Sequence, residues 1–253
     1  MTRQHTHRPD SAEQKEPARL IALSDGLFAT VLTLLVLDLR VPDTLAAGHG
    51  TILGIAKAIA PHLFSYLLTF LVSGTYWFAH HRDFDQIARY DQRLLSYNLL
   101  FLLFVGLLPF STAGISLVFA ASDVYPVYWA MYAANIGAAG VMLTLTWSYA
   151  VSHQLVRGEM TRAQTRHIVA RQLVTPAVFL LSAGVEFMAP HLNIGPVTLA
   201  IIPLGLWAEE RWLGQVAANR PAGPTTRAEL LWRAGTLLPW MLVIGLAAWA
   251  MTL

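Results

Sequence analysis

Long apolar runs alternate with short polar connections along most of the chain. Each run is close to the roughly 20 residues that an α-helix needs to cross the hydrocarbon core of a bilayer. The pattern predicts six membrane-crossing helices, at residues 19–39, 52–79, 94–121, 124–151, 173–189 and 194–208. The sixth run is short and is interrupted by Pro196 and Pro203.

The runs also divide the chain into segments. Residues 1–18 are polar, contain prolines and lack the apolar core of a signal peptide, so we expect a disordered cytosolic tail. Residues 19–210 form the six-helix domain, and residues 211–232 form a cytosolic connection. Residues 233–253 are predicted to be a C-terminal apolar helix, which either crosses the membrane as a seventh span or lies on it.

Composition agrees with an all-α integral membrane protein. Hydrophobic residues make up 55% of the chain and charged residues only 13%, about half the roughly 25% of soluble domains. The absence of cysteine excludes disulfides and thiolate metal sites. A net charge of +2 gives no reason to expect nucleic acid as a partner. No phosphate loop, nucleophile elbow or HExxH motif occurs, so neither an enzyme, a metal site nor a cofactor is expected.

The distribution of positive charge predicts the orientation. Of the 17 Lys and Arg residues, only Arg40 and Lys57 lie on one side of the predicted spans. The other 15 lie in the N-terminal segment, in the second-to-third and fourth-to-fifth connections, or after the sixth run. By the positive-inside rule, a multi-pass protein with a cytosolic N-terminus is expected.

The first span is amphipathic in an unusual way. At 100° per residue, one side of the helix carries Leu23, Leu27, Thr30, Leu34 and Leu37. Asp25 lies nearly opposite. The stripe either faces lipid, or it surrounds a symmetry axis where copies from several subunits form apolar rings. Such rings gate a pore by dewetting.

Asp25 needs a partner because ionisable groups within a membrane usually face the protein interior and pair. Trp77 and His81 are four residues apart at the cytosolic end of the second span, hence on one helical face. Asn98 lies just inside the third span, and Arg19 lies at the interface. A network of Ser24, Asp25, Trp77, His81 and Asn98 is predicted, serving either as structural support or as a proton relay.

Three segments carry a family resemblance. They are "RLIALSDGLFATVLTLLVLDLRVP", "YWFAHHRDFDQI" and "DQRLLSYNLLFLLFVGLLPFST". They resemble the signature segments of the transmembrane protein 175 potassium channels, the lysosomal channel and its bacterial relatives. The first corresponds to the family's Arg-x-x-x-Phe-Ser-Asp motif, which places the motif on Arg19, Ser24 and Asp25. The likeness covers residues 19–111 closely.

The resemblance implies a six-helix subunit, a homotetramer in the bacterial cell membrane, and a pore lined by the first helix. Monovalent cations, potassium among them, would be the permeant ions. The family has no conventional potassium filter, and no TVGYG-like loop occurs here. Its narrowest ring falls on Thr30, the following threonine on Thr33, and the next apolar rings on Leu34 and Leu37.

Two positions depart from the family pattern. Leu23 replaces the motif's Phe, and Thr30 stands where the family usually has Ile or Leu. The Thr30 hydroxyl either returns to the carbonyl of residue 26 or faces the lumen, where it would ease wetting and weaken discrimination among cations. The sequence predicts a leak-type potassium-permeable channel. A proton-coupled secondary transporter and a non-conducting membrane scaffold remain as alternatives.

Overall fold

A computed structural model describes residues 17–37, 39, 51–120, 126–158 and 160–189. The predicted N-terminal tail, the runs 194–208 and 237–253, and the connection between those runs lie outside the described residues. The described part contains six helices: α1 (Ala18–Leu37), α2 (Ile52–Gln86), α3 (Gln92–Gly106), α4 (Leu108–Ala120), α5 (Pro126–Ser152) and α6 (Arg162–Met188). Between the described helices, one isolated bridge pairs Ile87 with Val156.

Four stretches are long and apolar enough to cross a membrane. They are α1, α2, the segment Gln92–Val118 and α6. The third predicted span, 94–121, is divided into α3 and α4 at Leu107. Pro109 accounts for the break, because it lacks the amide that would continue the hydrogen-bond ladder. The first, second and fifth predicted spans match α1, α2 and α6, although α2 continues to Gln86 and α6 begins at Arg162.

The fourth predicted span, 124–151, corresponds to α5 but does not belong to that apolar set. This helix has 27 residues and no charge, and its length suffices to cross a bilayer. Its interior face is built from small and amphipathic residues such as Gly137, Gly140 and Tyr132 rather than from leucines. It packs against α3, α4 and α6, and small residues let such helices approach closely.

Helix starts are fixed by local caps. Thr51 accepts a hydrogen bond from the amide of Gly54 at the start of α2, and Asp91 accepts one from Leu94 at the start of α3. Thr161 and Gln164 form a reciprocal capping box at the start of α6. Each cap satisfies amides that the first helical turn leaves without a partner.

At the predicted cytosolic end, the connections that follow α2 and α5 are hydrogen-bonded to each other. Three backbone bonds join the end of α2 and the segment after it to the segment after α5. The Leu155 carbonyl accepts from Ala88 N–H at 2.8 Å and from Arg89 N–H at 3.3 Å, and Arg157 N–H donates to the Gln86 carbonyl at 2.7 Å. Beneath them, Leu20, Phe84, Ile87, Leu94, Ala150 and Leu155 form a small apolar cluster. The start of α1 therefore packs, through Leu20, against this apolar cluster.

Candidate functional site

One face of α1 is buried against the rest of the subunit. It contains Leu20, Ser24, Phe28, Val31 and Leu35, spaced three or four residues apart. This face contacts α2, α3 and α4. Phe28 packs on the ring of Phe101, with centroids 6.0 Å apart, and Leu35 is fully buried. The regular spacing gives the helix one continuous contact stripe.

The opposite face of α1 is open in the single subunit. Leu23, Leu34 and Leu37 are 50%, 46% and 68% exposed, and Thr30 and Thr33 are exposed with them. Leu27, the remaining member of the predicted stripe, is partly buried. Gly26 adds a position where a Cβ atom would meet no neighbour within 4 Å. The predicted stripe thus forms an outward-facing surface of leucines, threonines and small residues, which we call the open face of α1.

Both threonine hydroxyls on the open face return to their own helix. Thr30 Oγ1 donates to the Gly26 carbonyl and Thr33 Oγ1 to the Ala29 carbonyl, each at 2.8 Å. The bond predicted from Thr30 to the carbonyl of residue 26 is therefore present, while the side chain is exposed in the single subunit. The oxygen lone pairs remain available, because a hydroxyl that donates one bond still accepts others.

Asp25 lies on the side of α1 away from the open face and is held there by α2. The Trp77 indole Nε1–H donates to Asp25 Oδ1 at 2.8 Å. His81 stacks on Trp77 with ring centroids 5.5 Å apart, and its Nε2 lies 3.8 Å from Asp85 Oδ2. Trp77, His81 and Asp85 follow one another at intervals of four along α2, so they share a face.

A second polar group lies deeper and contains a residue that sequence reasoning missed. His80 Nε2 and Asn98 Oδ1 are 2.9 Å apart, and Asn98 Nδ2 donates to Ser24 Oγ at 3.4 Å. Ser24 in turn donates to the Leu20 carbonyl at 2.9 Å. All three side chains are buried. The His80 ring stacks on Phe84 and Phe101.

The predicted single network is therefore divided in two. Asp25 and Trp77 form one pair with His81 beside them, while Ser24 and Asn98 belong to the other group, where His80 takes the place assigned to His81. Adjacent residues on a helix point 100° apart, so only one of the two histidines can face the core. His80 lies four residues after Tyr76 and four before Phe84, and all three are buried. This spacing along α2 could have identified His80 as the histidine that faces the core.

Arg19, the first residue of the family motif, is exposed, and its side chain makes no hydrogen bond or ion pair to the residues that the structure describes. Across those same residues, no group of three or more His, Cys, Asp or Glu is placed to hold a metal ion. The open face of α1 is therefore an apolar surface that carries hydroxyl groups. The two polar groups lie on the other side of the helix and support it.

The carboxylate of Asp91, at the start of α3, is stabilised in its charged form. Burial raises the pKa of Asp91, but hydrogen bonds from the Tyr149 hydroxyl and from the backbone amides of Leu94 and Arg93 outweigh it, so the pKa lies below its usual value. The Tyr149 bond measures 2.7 Å. Asp91 thus joins the start of α3 to the end of α5.

Comparison with known proteins finds a family model that is similar to the segment containing α1, α2 and α3. The family described as endosomal/lysosomal potassium channel TMEM175 matches residues 19–109. A potassium channel of Chamaesiphon minutus is 27% identical over 190 residues, covering 74% of this chain and 92% of that protein. A potassium channel of Streptomyces collinus is 42% identical over 98 residues, which are 39% of this chain and 47% of that one.

The fold agrees with a solved structure. The crystal structure of a lysosomal potassium-selective channel TMEM175 homolog from Chamaesiphon minutus superposes with a TM-score of 0.63 at 25% identity, covering 78% of this chain and 99% of that chain. Together with the apolar helices, these matches make the chain a multi-pass membrane protein. Over residues 19–109, the chain is similar to the TMEM175 family.

Proposed function

We propose that this protein is a leak-type, potassium-permeable cation channel. The observation that carries the proposal is the open face of α1, which combines exposed leucines with exposed threonines and Gly26 on the helix that bears the family motif. A surface that only meets lipid needs no hydroxyls. A surface that surrounds an ion path needs apolar rings to control wetting and oxygen atoms to replace an ion's water.

The channel is a homotetramer in this proposal, with four copies of α1 around the axis. Closed rotational symmetry is usual in homo-oligomers, and it converts each exposed residue into a ring. Thr30, Leu34 and Leu37 then set the constriction, and Thr33 tunes ion passage beside it. The two polar groups behind α1 fix its rotation, so that these residues point to the axis.

The proposal includes a placement in the membrane. A six-helix domain at 19–210 lies in the bacterial inner membrane with its N-terminus in the cytosol, and residues 233–253 form an additional apolar helix. The positive-inside distribution supports this orientation, since Arg82 near the end of α2, and Arg89 and Arg93 after it, fall in the second-to-third connection, which is predicted on the same side as the N-terminal segment.

Bi-ionic recording from purified protein in planar bilayers tests the function directly. With potassium on one side and sodium on the other, we expect a current whose reversal potential is displaced towards the potassium equilibrium potential. A robust current that reverses near zero would support the channel and contradict its selectivity for potassium. Protein that is tetrameric in detergent and passes no current would contradict the proposal and favour the transporter or scaffold.

A further inference from the structure

The first turns of α6 carry two arginines on the side that points away from the subunit. Arg162 and Arg166 are four residues apart, so they share one face of the helix. Phe179, which is buried, lies about 100° from Arg162 and about 140° from Arg166 around the helix axis. Both arginines are exposed. Within the part of the chain that the structure describes, neither guanidinium group forms an ion pair or a hydrogen bond.

The length of α6 places this pair outside the hydrocarbon core of the bilayer. The helix has 27 residues, which span about 40 Å at the helical rise, whereas the hydrocarbon core is about 30 Å thick. The surplus lies at the start of the helix, because residues 162–172 contain three arginines and residues 173–188 contain no basic residue. Arg162 and Arg166 are therefore at the level of the lipid headgroups.

An apolar surface continues from this pair towards the centre of the membrane. Leu173 and Leu180 are exposed, and both lie within about 40° of Arg166 around the helix. Leu173 follows Arg166 by seven residues, or about 10 Å along the axis. Guanidinium groups at headgroup level, with leucines above them on the same side, match the two parts of one phospholipid: its phosphate and an acyl chain.

The position of α6 in the subunit leaves this surface next to lipid. The helix packs on α5 and reaches α2 through the hydrogen bond from Gln172 to Asp83. Among the described helices, α6 has no packed interface with α1. Since α1 surrounds the axis of the proposed channel, α6 lies at its periphery.

The backbone at the start of α6 is already hydrogen-bonded. Thr161 Oγ1 accepts from the amide of Gln164 at 3.3 Å, and Gln164 Oε1 accepts from the amide of Thr161 at 3.0 Å. This reciprocal cap fixes the first turn and occupies amides that could otherwise bind an anion. An anion at this surface therefore meets the two guanidinium groups.

From these observations we propose that Arg162 and Arg166 bind the phosphate of an anionic phospholipid in the cytosolic leaflet. The proposal rests on the membrane placement proposed above and is independent of conduction. Guanidinium groups bind phosphate oxygens through pairs of parallel N–H···O bonds. A zwitterionic lipid brings its own cation to the same site, so lipids with a net negative charge are preferred.

Thermal unfolding of the full chain in a neutral detergent measures this binding, because a ligand that binds the folded state raises the unfolding midpoint as its concentration rises. Phosphatidylglycerol is the anionic probe. Phosphatidylcholine controls for the acyl chains, and glycerol phosphate for a free phosphate. The test variant is Arg162→Gln/Arg166→Gln. The matched control, Arg93→Gln/Arg157→Gln, removes two exposed arginines from the predicted cytosolic side outside α6, so both variants lose the same charge.

We expect phosphatidylglycerol to raise the midpoint of the wild type and of the matched control, and the other two probes to have little effect. Each arginine near an anionic surface contributes a factor of about five in affinity, so Arg162→Gln/Arg166→Gln should need roughly 30-fold more phosphatidylglycerol for the same rise. Without lipid, all three proteins should have the same midpoint. Arg162→Lys/Arg166→Lys keeps both charges and should retain most of the response, even if the glutamine variant is unstable.

Equal responses of the wild type to phosphatidylglycerol and phosphatidylcholine would overturn the proposal, because acyl chains alone would then account for binding. Equal losses in the two glutamine variants would overturn it as well, since overall charge would then attract the lipid. An equal rise with glycerol phosphate would assign the site to a free phosphate instead. No current is measured in this experiment, so its outcome is separate from that of the bi-ionic recording.

Discussion

The two faces of α1 carry similar residues and yet have different surroundings. Each contains leucines and hydroxyl side chains. On the buried face, Ser24 receives a bond from Asn98 in addition to the one it gives to its own helix. On the open face, Thr30 and Thr33 only donate back to their own helix. The buried face has its partners within the subunit, so substitutions there should cost stability, while substitutions on the open face should alter conduction.

The largest effect is expected for Phe28→Ala on the buried face. Phe28 is almost fully buried and packs on Phe101 and His80. Removing a buried aromatic ring costs about 3–5 kcal/mol through lost contacts and the cavity left behind. Thermal unfolding in detergent should show a large drop in the midpoint. Leu23→Ala on the open face is the control and should leave it unchanged; equal drops in both variants would show that the faces do not differ.

Asn98→Ala should destabilise the subunit by a smaller amount. The substitution removes one partner from His80 and one from Ser24, both buried, and leaving a buried group without its bond costs about 1–3 kcal/mol. His81→Ala is the matched control, because its side chain is partly exposed and bonds to neither Asn98 nor Ser24. The same unfolding measurement separates them. A larger loss of stability in His81→Ala than in Asn98→Ala would show that His81, and not His80, makes the supporting contact.

On the open face, Leu34→Asn should increase the potassium current several-fold with little change in unfolding temperature. An amide in an apolar ring makes the constriction easier to wet. Val36→Asn is the control: it lies two residues further on, about 200° around the helix, and is also exposed. Equal currents in both variants would mean that the open face of α1 does not line the ion path.

Thr30→Leu should shift the bi-ionic reversal potential towards the potassium equilibrium potential. Leucine is one of the residue types that the family resemblance implies at this position, and it removes an oxygen that, in the proposed pore, would replace part of an ion's water. Thr30→Ser keeps the hydroxyl and should behave like the wild type. Unchanged permeability ratios in Thr30→Leu would show that the hydroxyl has no part in selectivity.

The amino-acid sequence predicted the parts of the fold that depend on local pattern. The apolar runs located α1, α2 and α6 because hydrophobic length is itself the requirement for crossing a bilayer, and the helical period separated Leu34 from Asp25. The sequence predicted one span over residues 94–121, which the structure divides at Leu107 beside Pro109, and it did not predict the inward turn of His80 instead of His81. Those features depend on how α2 and α3 rotate against their neighbours, and tertiary contacts decide that rotation.

The connections between helices also depend on tertiary contacts that the sequence pattern does not reveal. The pairing of Ile87 with Val156 joins segments about 70 residues apart, and the turn just before Val156 has a positive φ at Gln154. Nothing in the apolar pattern marks such a residue, because positive φ is uncommon outside glycine. The open face of α1 was predictable as a stripe, while its role in conduction rests on the family resemblance and on the proposed tetramer.

The smallest effect is expected at Asp91, which supports α3 behind the buried face and does not touch the open one. Its folded-state pKa is depressed, so its charge contributes stability that is complete above the unfolded pKa of about 3.9 and is lost as the pH falls towards the folded value. Asp91→Asn keeps the helix cap but removes the charge. As the pH falls below about 4, the unfolding midpoint of the wild type should therefore fall more steeply than that of the variant. The two should have equal potassium currents at neutral pH, since no contact links Asp91 to Thr30 or Leu34 among the described residues. Parallel unfolding curves would show that the charge of Asp91 contributes nothing, and a changed current would show that the buried face and the open face are coupled through α3.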